Sequence, residues 1–300
     1  MRVFITGASG AIGQAVVQDL LLAGNKVVGL ARSDKSAELL TALGAEVRRG
    51  SLEDLDALKQ GAAASDGVIH LAFIHGSSDF AGSCRADQLA IETMGSALAG
   101  SNRPLIMTSG TMICQHGHFA TEEDAPDLSS PMAALRGESE RVALSLVPKG
   151  VRALVIRLPP TNHGDGDHHG FIPQLIAIAR QKGASGYIGD GRNRWCAVHR
   201  LDTARVFRLA LERGSAGSIF HAVAEEGVHM KNIAEIIGKQ LNVPVVSKTK
   251  SEAQEHFGWL AFAVPEDNPA SSAKTRELLG WIPEHPSLIS DLESGIYFKN

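Results

Sequence analysis

Short apolar runs alternate with amphipathic stretches along the first half of the chain. Val3–Thr6, Lys26–Ala31, Glu46–Arg49, Gly67–Leu71, Pro104–Thr108 and Val151–Arg157 read as strands. Between them, Ile12–Ala23, Ser36–Leu43, Leu89–Ala99 and Pro131–Val147 read as helices. Strands that alternate with helices predict βαβ units with right-handed crossovers, and so a parallel sheet covered on both faces. Beyond Pro159 the rhythm changes. Thr161–Gly170 is rich in Gly, His and Asp and reads as a loop, Phe171–Gln181 and Leu201–Glu212 as helices, and Ser218–His221 as a short strand. From Glu225 onward, short helical patterns mix with turns marked by Pro244, Pro265, Pro269, Pro283 and Pro286. The expected class is α/β, with a small cap drawn mostly from the C-terminal third.

Composition narrows this picture without changing it. The 300 residues suit one large α/β domain, or a nucleotide-binding domain with a smaller cap. Hydrophobic residues make up 44% and charged residues 21%, enough for a sizeable core and against disorder. The formal net charge is −4 and no basic run occurs, which argues against nucleic acid as a partner. Cys84, Cys114 and Cys196 are scattered and odd in number, unlike a disulfide framework or a zinc site. Gly7, Gly10 and Gly13 interrupt the apolar start, so it does not read as a signal peptide. No stretch reaches the ~20 apolar residues of a spanning helix. A soluble, cytoplasmic protein with no membrane partner is the expectation.

The chemistry begins at Thr6-Gly7-Ala8-Ser9-Gly10-Ala11-Ile12-Gly13, which follows the first strand and opens the first helix. That context is what a dinucleotide-binding glycine motif requires. Gly7 permits the tight turn, Gly10 lets the backbone approach a diphosphate, and Gly13 allows close helix–strand packing. Ser9, Ala11 and Ile12 complete the turn, whose free N–H groups suit an anion. After the second strand stand Arg32 and Ser33 where an NAD site usually carries an acid. A guanidinium suits a 2′-phosphate, so NADP(H) is favoured over NAD(H). The alternative is a solvated Arg32, with Asp34 serving an NAD ribose. Ser51 and Leu52 would lie at the adenine. Leu71, Ala72 and Phe73 would line the path to the nicotinamide.

Thr6–Gly13, Ile69-His70-Leu71-Ala72, Leu105–Gly110, Arg157-Leu158-Pro159, Val198–Asp202 and Leu279-Gly280-Trp281-Ile282-Pro283 together resemble the extended and atypical short-chain dehydrogenase/reductases, the epimerase/dehydratase-like group. The resemblance covers nearly the whole chain. It implies a Rossmann doubly wound parallel sheet of about seven strands with a C-terminal substrate-binding cap. Residues 1–160 would form the NAD(P)-binding domain, and residues 161–300 the remaining Rossmann elements plus the cap.

In that family a Tyr-x-x-x-Lys pair follows the fifth strand, with a serine or threonine on the strand itself. This chain departs from the pattern. Its two tyrosines, Tyr187 and Tyr297, stand elsewhere. Met132 takes the tyrosine position and Arg136 the lysine position. A thioether cannot donate a proton, and losing a general acid typically costs about 10²–10⁴-fold in rate. Arg136 stays protonated. It can hold the ribose or stabilise an oxyanion, or it can simply pair with Glu140 one turn on. Ser109 and Thr111 are the hydroxyls able to orient a substrate oxygen, with Thr108 beside the cofactor. The alternative is that they only cap the strand end.

His163, His168 and His169 share a loop with Asp165 and Asp167. Their spacing is not that of a zinc site, so no metal is expected. A histidine there, or His116 or His118, could supply the missing proton. Pro159, Thr161 and Asn162 follow the sixth strand, where the family packs backbone against the nicotinamide. His163, His169, Phe171 and Trp195 are candidate substrate contacts, with Phe171 and Trp195 as apolar walls or core. Asp202 reads as a helix cap, and Cys114 as a small apolar residue.

The leading expectation is an NADP(H)-dependent oxidoreductase acting on a small carbonyl or hydroxyl compound. One alternative is a non-redox isomerase or dehydratase on the same fold. Another is a dinucleotide-binding sensor without turnover. A homodimer is the oligomeric expectation. The substrate, direction and stereochemistry are not encoded in a readable motif.

Overall fold

The apolar runs of the first half become strands β1 (Arg2–Thr6), β2 (Lys26–Ala31), β3 (Glu46–Arg49), β4 (Gly67–His70), β5 (Pro104–Gly110) and β6 (Arg152–Leu158). Six more follow: β7 (Thr161–His163), β8 (Ser185–Ile188), β9 (Arg194–His199), β10 (Ile219–His221), β11 (Glu225–His229) and β12 (Val245–Lys248). In this computed structural model, which describes residues 1–75 and 79–299, seven of them form one parallel sheet in the order β3-β2-β1-β4-β5-β6-β10. The order reverses between β1 and β4, the switch point where open α/β sheets bind ligands at the carboxyl ends of their strands. The expected Rossmann sheet of about seven strands is present.

Helices α1 (Ala11–Leu22), α2 (Asp34–Ala42), α3 (Leu55–Ala63), α4 (Phe80–Leu98) and α5 (Pro131–Leu144) connect the first strands. They are followed by α6 (Phe171–Lys182), α7 (Arg200–Arg213), α8 (Met230–Leu241), α9 (Ala253–Phe257), α10 (Ala273–Leu279) and α11 (Leu288–Ser294). Both faces of the sheet are covered. On one, Val16 and Leu20 of α1 and Phe207 of α7 pack with Ile5, Ile106 and Trp281. On the other, Leu58, Met94, Leu98 and Val142 from α3, α4 and α5 pack on Phe4, Leu105 and Val155. A third core joins Ile172, Ile176, Trp195, Ile233, Ile237, Phe257, Leu288 and Leu292 beneath the three-stranded sheet β11-β9-β7 and the pair β12-β8. No helix among the described residues is long and apolar enough to cross a membrane.

Several boundaries differ from the sequence reading, each for a local reason. Helix α4 starts at Phe80 rather than Leu89, because Asp79 caps it by accepting from Gly82 N. Its buried face includes Ser83, Cys84 and Asp87, polar or small residues that hide a 3.6-residue period. Helix α3, capped by Asp54, lies where the pattern indicated no element. Strand β5 runs past Thr108 to Gly110 and pairs with β6 over its whole length. The stretch read as a loop from Thr161 begins with a short strand that pairs with β9.

Candidate active site

The glycine-rich turn joins β1 to α1. Gly7 has φ 70°, and a Cβ there would lie 2.7 Å from the Ala72 nitrogen. A Cβ on Gly13 would lie 2.1 Å from the Gly7 carbonyl oxygen. The fold itself therefore demands both glycines. Gly10 is different: its φ is −73° and the nearest atom to an added Cβ is 3.4 Å away. Nothing in the packing requires glycine at that position, and its exposed backbone leaves the start of α1 open. Helix α1 has no side-chain cap, so its first N–H groups, from Ala11 onward beside Ser9 and Ile12, suit an anion. Arg200, at the start of α7, donates to the Ala11 carbonyl oxygen at 3.2 Å. Its Nε is buried with no partner among the described residues. The sequence reading missed this cation, which lies 189 positions from Ala11 along the chain.

At the end of β2, Arg32 and Ser33 are exposed. The Ser33 hydroxyl caps α2 by accepting from Ser36 N. Arg49, the last residue of β3, donates to the Ser33 carbonyl oxygen at 2.7 Å and to Asp34 Oδ1 at 2.6 Å. The carboxylate that could serve an NAD ribose is thus already engaged by a guanidinium. Ser51 accepts from Glu53 N, and Leu52 packs on the core beside it.

Behind the turn runs a buried polar chain. Thr6 Oγ1 lies 2.7 Å from His70 Nδ1, and His70 Nε2 lies 3.1 Å from Asp87 Oδ1. The other Asp87 oxygen accepts from Arg136 Nη1, and Arg136 Nη2 donates to the Thr108 carbonyl oxygen at 2.7 Å. Burial alone would raise the Asp87 carboxyl, but the His70 hydrogen bond and the Arg136 charge more than offset it and hold its pKa below the usual value. Asp87 is therefore an anion whose place is to fix Arg136. The Arg136 guanidinium also lies over the Phe73 ring, 4.5 Å from its centroid. Leu71 N donates to the Thr6 carbonyl oxygen and Ala72 N to Thr6 Oγ1, so the strand end carrying Phe73 is tied to the glycine turn. Glu140 pairs with the buried Arg157 at 2.8 Å, not with Arg136.

The remaining candidates separate. The hydroxyls of Thr108 and Ser109 are buried with no hydrogen-bond partner among the described residues. Thr111, by contrast, donates to Asn268 Oδ1 at 2.7 Å. Met132, in the position the resemblance gives to tyrosine, is 43% exposed. Pro159 is buried, and Thr161 is buried with an unpartnered hydroxyl. His163 is fully buried, with Nδ1 2.7 Å from Asp291 Oδ2. Burial works against its charge, but hydrogen bonds to Asp291 and Glu225 raise its pKa overall. His168 and His169 are exposed on the loop before α6. Asp202 does not cap α7. It accepts from the Glu284 and His285 nitrogens, while the His199 ring supplies the cap. Tyr297 donates to Asp167 and accepts from Gly164 N.

Phe171 is the hub of an aromatic wall. Its ring lies 5.5 Å from Trp195, 5.7 Å from Trp259 and 6.3 Å from Phe262. Trp195 is buried and donates to the Ala263 carbonyl oxygen, so it backs the wall. Trp259 and Phe262 are exposed, and Met112, directly after Thr111, packs on the same cluster. The sequence reading named Phe171 and Trp195 but missed Trp259 and Phe262. It also passed over His75, whose ring meets the edge of Phe73 with centroids 5.1 Å apart.

The model of the NAD dependent epimerase/dehydratase family matches residues 3–223. The chain is 50% identical over 300 residues to an uncharacterised protein of Schizosaccharomyces pombe, covering 99% of this chain and 100% of that one. It is 27% identical to a Stigmatella aurantiaca ketoreductase named for 4-hydroxy-2-methyl-3-oxo-4-farnesyl-3,4-dihydroquinoline-1-oxide, covering 90% of this chain and 84% of the relative. Among solved structures it is similar to the Streptomyces venezuelae dTDP-glucose 4,6-dehydratase DesIV, solved with NAD and TYD bound. That likeness has a TM-score of 0.79 at 20% identity, covering 99% of this chain and 96% of the other. With the sheet order, the glycine turn and these matches in place, the chain belongs to the NAD dependent epimerase/dehydratase family, enzymes of the extended short-chain dehydrogenase/reductase type.

Proposed function

We propose that the chain is an NADP(H)-dependent oxidoreductase acting on a small apolar carbonyl or hydroxyl compound. The observation that carries this reading is Arg136, held by Asp87 and the Thr108 carbonyl at the end of β5, beside the unpartnered hydroxyl of Ser109. Gly7, Ser9, Gly10, Ala11, Ile12 and Gly13 would hold the diphosphate, with Arg200 adding charge. Arg32 and Ser33, with Arg49 neutralising Asp34, would take the 2′-phosphate. Ser51 and Leu52 would border the adenine. Leu71, Ala72, Phe73, Thr108, Pro159 and Thr161 would flank the rest of the dinucleotide, and Arg136 the nicotinamide ribose. When bound, NADP(H) supplies or takes a hydride at the substrate carbon.

Ser109 rather than Thr111 would orient the substrate oxygen, since the Thr111 hydroxyl is already bonded to Asn268. Phe171, Trp259 and Phe262 offer apolar and aromatic surface for the substrate. That surface suits ring or alkyl carbonyls better than sugar nucleotides, and the Stigmatella relative is named for such a substrate. We further propose residues 1–160 as the nucleotide-binding part and residues 161–300 as completing the sheet and forming the cap. The three free cysteines are all buried, in keeping with a cytoplasmic setting. A homodimer is proposed as its assembly, with no nucleic acid or membrane partner.

NADPH consumption measured with a panel of apolar ketones, enones and UDP-glucose tests the reading. Turnover of an apolar ketone with loss of NADPH absorbance is expected. Product from UDP-glucose with no net change in NADPH would replace it with an isomerase or dehydratase. Tight NADPH binding with no turnover at all would favour a sensor.

A further inference from the structure

We infer that His75 exchanges a proton with the substrate oxygen, in the role left open by the missing tyrosine; this rests on the oxidoreductase reading above. The chain leaves β4 at His70 and runs through Leu71, Ala72 and Phe73 to His75. One ring organises the space there. Phe73 carries the Arg136 guanidinium on its face, 4.5 Å from the centroid. The His75 ring stands against Phe73 at an interplanar angle of 64°, with centroids 5.1 Å apart. Arg136 reaches in turn to the Thr108 carbonyl, next to the unpartnered Ser109 hydroxyl. His75, Arg136 and Ser109 thus gather at the carboxyl ends of β4 and β5, beside the switch point of the sheet.

His168 and His169 stand exposed on the loop before α6, and most other histidines of the candidate region are engaged elsewhere. His70 is buried between Thr6 and Asp87. His163 is bonded to Asp291, and His116 lies between Glu266 and the Met112 carbonyl. His199 caps α7. His118 lies near Asp124. His75 is exposed, so water can restore any proton it gives up. The charged group facing it is Arg136, itself paired with Asp87. Partial removal from water, then the Arg136 charge, hold its pKa below the ordinary histidine value. That makes the imidazolium a stronger acid than free histidine, and leaves a neutral ring ready as a base near neutrality.

The transfers balance. In reduction the imidazolium gives its proton to the carbonyl oxygen as the carbonyl carbon takes the hydride. The C=O double bond becomes C–H and O–H, the nicotinamide is oxidised, and the neutral ring regains a proton from water. Oxidation of an alcohol reverses each transfer, with the neutral ring as base.

Diethyl pyrocarbonate labelling at about pH 6, where an ordinary histidine is mostly protonated, gives a test that needs no substrate. Site-resolved mass spectrometry should find His75 labelled, and saturating NADPH should suppress that label while His116 and His118 are unaffected. In parallel, His75→Asn should lower kcat/KM for reduction of 1-phenyl-1,2-propanedione by about 10²–10⁴-fold, with NADPH affinity by calorimetry unchanged. If NADPH binds but leaves His75 labelling as fast as before, or His75→Asn turns over like wild type, the inference is overturned. If the dione is not a substrate, NADPH protection alone decides. A failure of NADPH to bind at all overturns the oxidoreductase reading first, and this inference with it.

Discussion

Asp34 stands two residues past Arg32, and which of them faces the adenosine ribose decides the cofactor. Arg49 pairs at the surface with Asp34 and the Ser33 carbonyl, and Arg32, like Lys35, makes no ion pair among the described residues. A charge-assisted hydrogen bond to a 2′-phosphate contributes about 1.5–3 kcal/mol. Arg32→Ala should therefore weaken NADPH binding by roughly 10- to 150-fold and leave NADH binding unchanged. An unaltered NADPH/NADH preference would reassign Arg32 to the solvated surface. The glycines of the turn were legible in the sequence because their reasons are local: a positive φ at Gly7 and helix–strand contact at Gly13. Arg136 was legible only through family resemblance. Its partner Asp87 was not, because the two meet across 49 residues of chain. Arg49 and Arg200 escaped for the same reason.

Helix α7 begins on an imidazole rather than a hydroxyl or carboxylate. His199 Nδ1 accepts from Leu201 N at 3.2 Å, which requires an unprotonated nitrogen. Around it stand His163, Asp291, His285 and Asp202. Burial, then the neighbouring His163, push the His199 pKa from 6.5 to about 4. A depressed folded-state pKa means the unfolded chain binds the proton first. The stability His199 contributes is thus complete above pH 6.5 and lost as pH falls from there toward about 4. The slope is at most about 1.4 kcal/mol per pH unit. His199→Asn keeps a capping side chain but cannot titrate. Its denaturation midpoint should fall less steeply than that of wild type across that window, and parallel curves would contradict this account. Up to β6 the strands and most helices were legible because alternating periods of 2 and 3.6 residues survive there, but α3 and the first turns of α4 were not. Strands β7, β8, β9, β11 and β12 were not. They are short, and several carry polar residues such as Asn162, His163, Glu225 and Lys248 at paired positions.

At the scale of the whole molecule, two cores clamp one sheet, and its order reverses between β1 and β4. Sheets of this class bind ligands at such a reversal, over the strand ends, here those of β1, β4 and β5. The glycine turn, the Arg136 cluster and His75 all stand at those strand ends, and Met112 links β5 to the aromatic wall of the cap. The account depends on a dinucleotide entering through the turn at Gly10. Titration calorimetry of NADPH into wild type and Gly10→Val tests it most directly. Gly10 has an ordinary φ, and an added Cβ would make only an ordinary contact, 3.4 Å from the Gly7 carbonyl oxygen. Losing a favoured N-cap residue should cost about 1 kcal/mol, so the variant should still fold, with a modestly lowered melting temperature. Its side chain would then occupy the approach to the start of α1. We predict saturable heat for wild type and none for folded Gly10→Val. Equal binding by the two proteins, or no heat from wild type with any nicotinamide dinucleotide, would contradict the account.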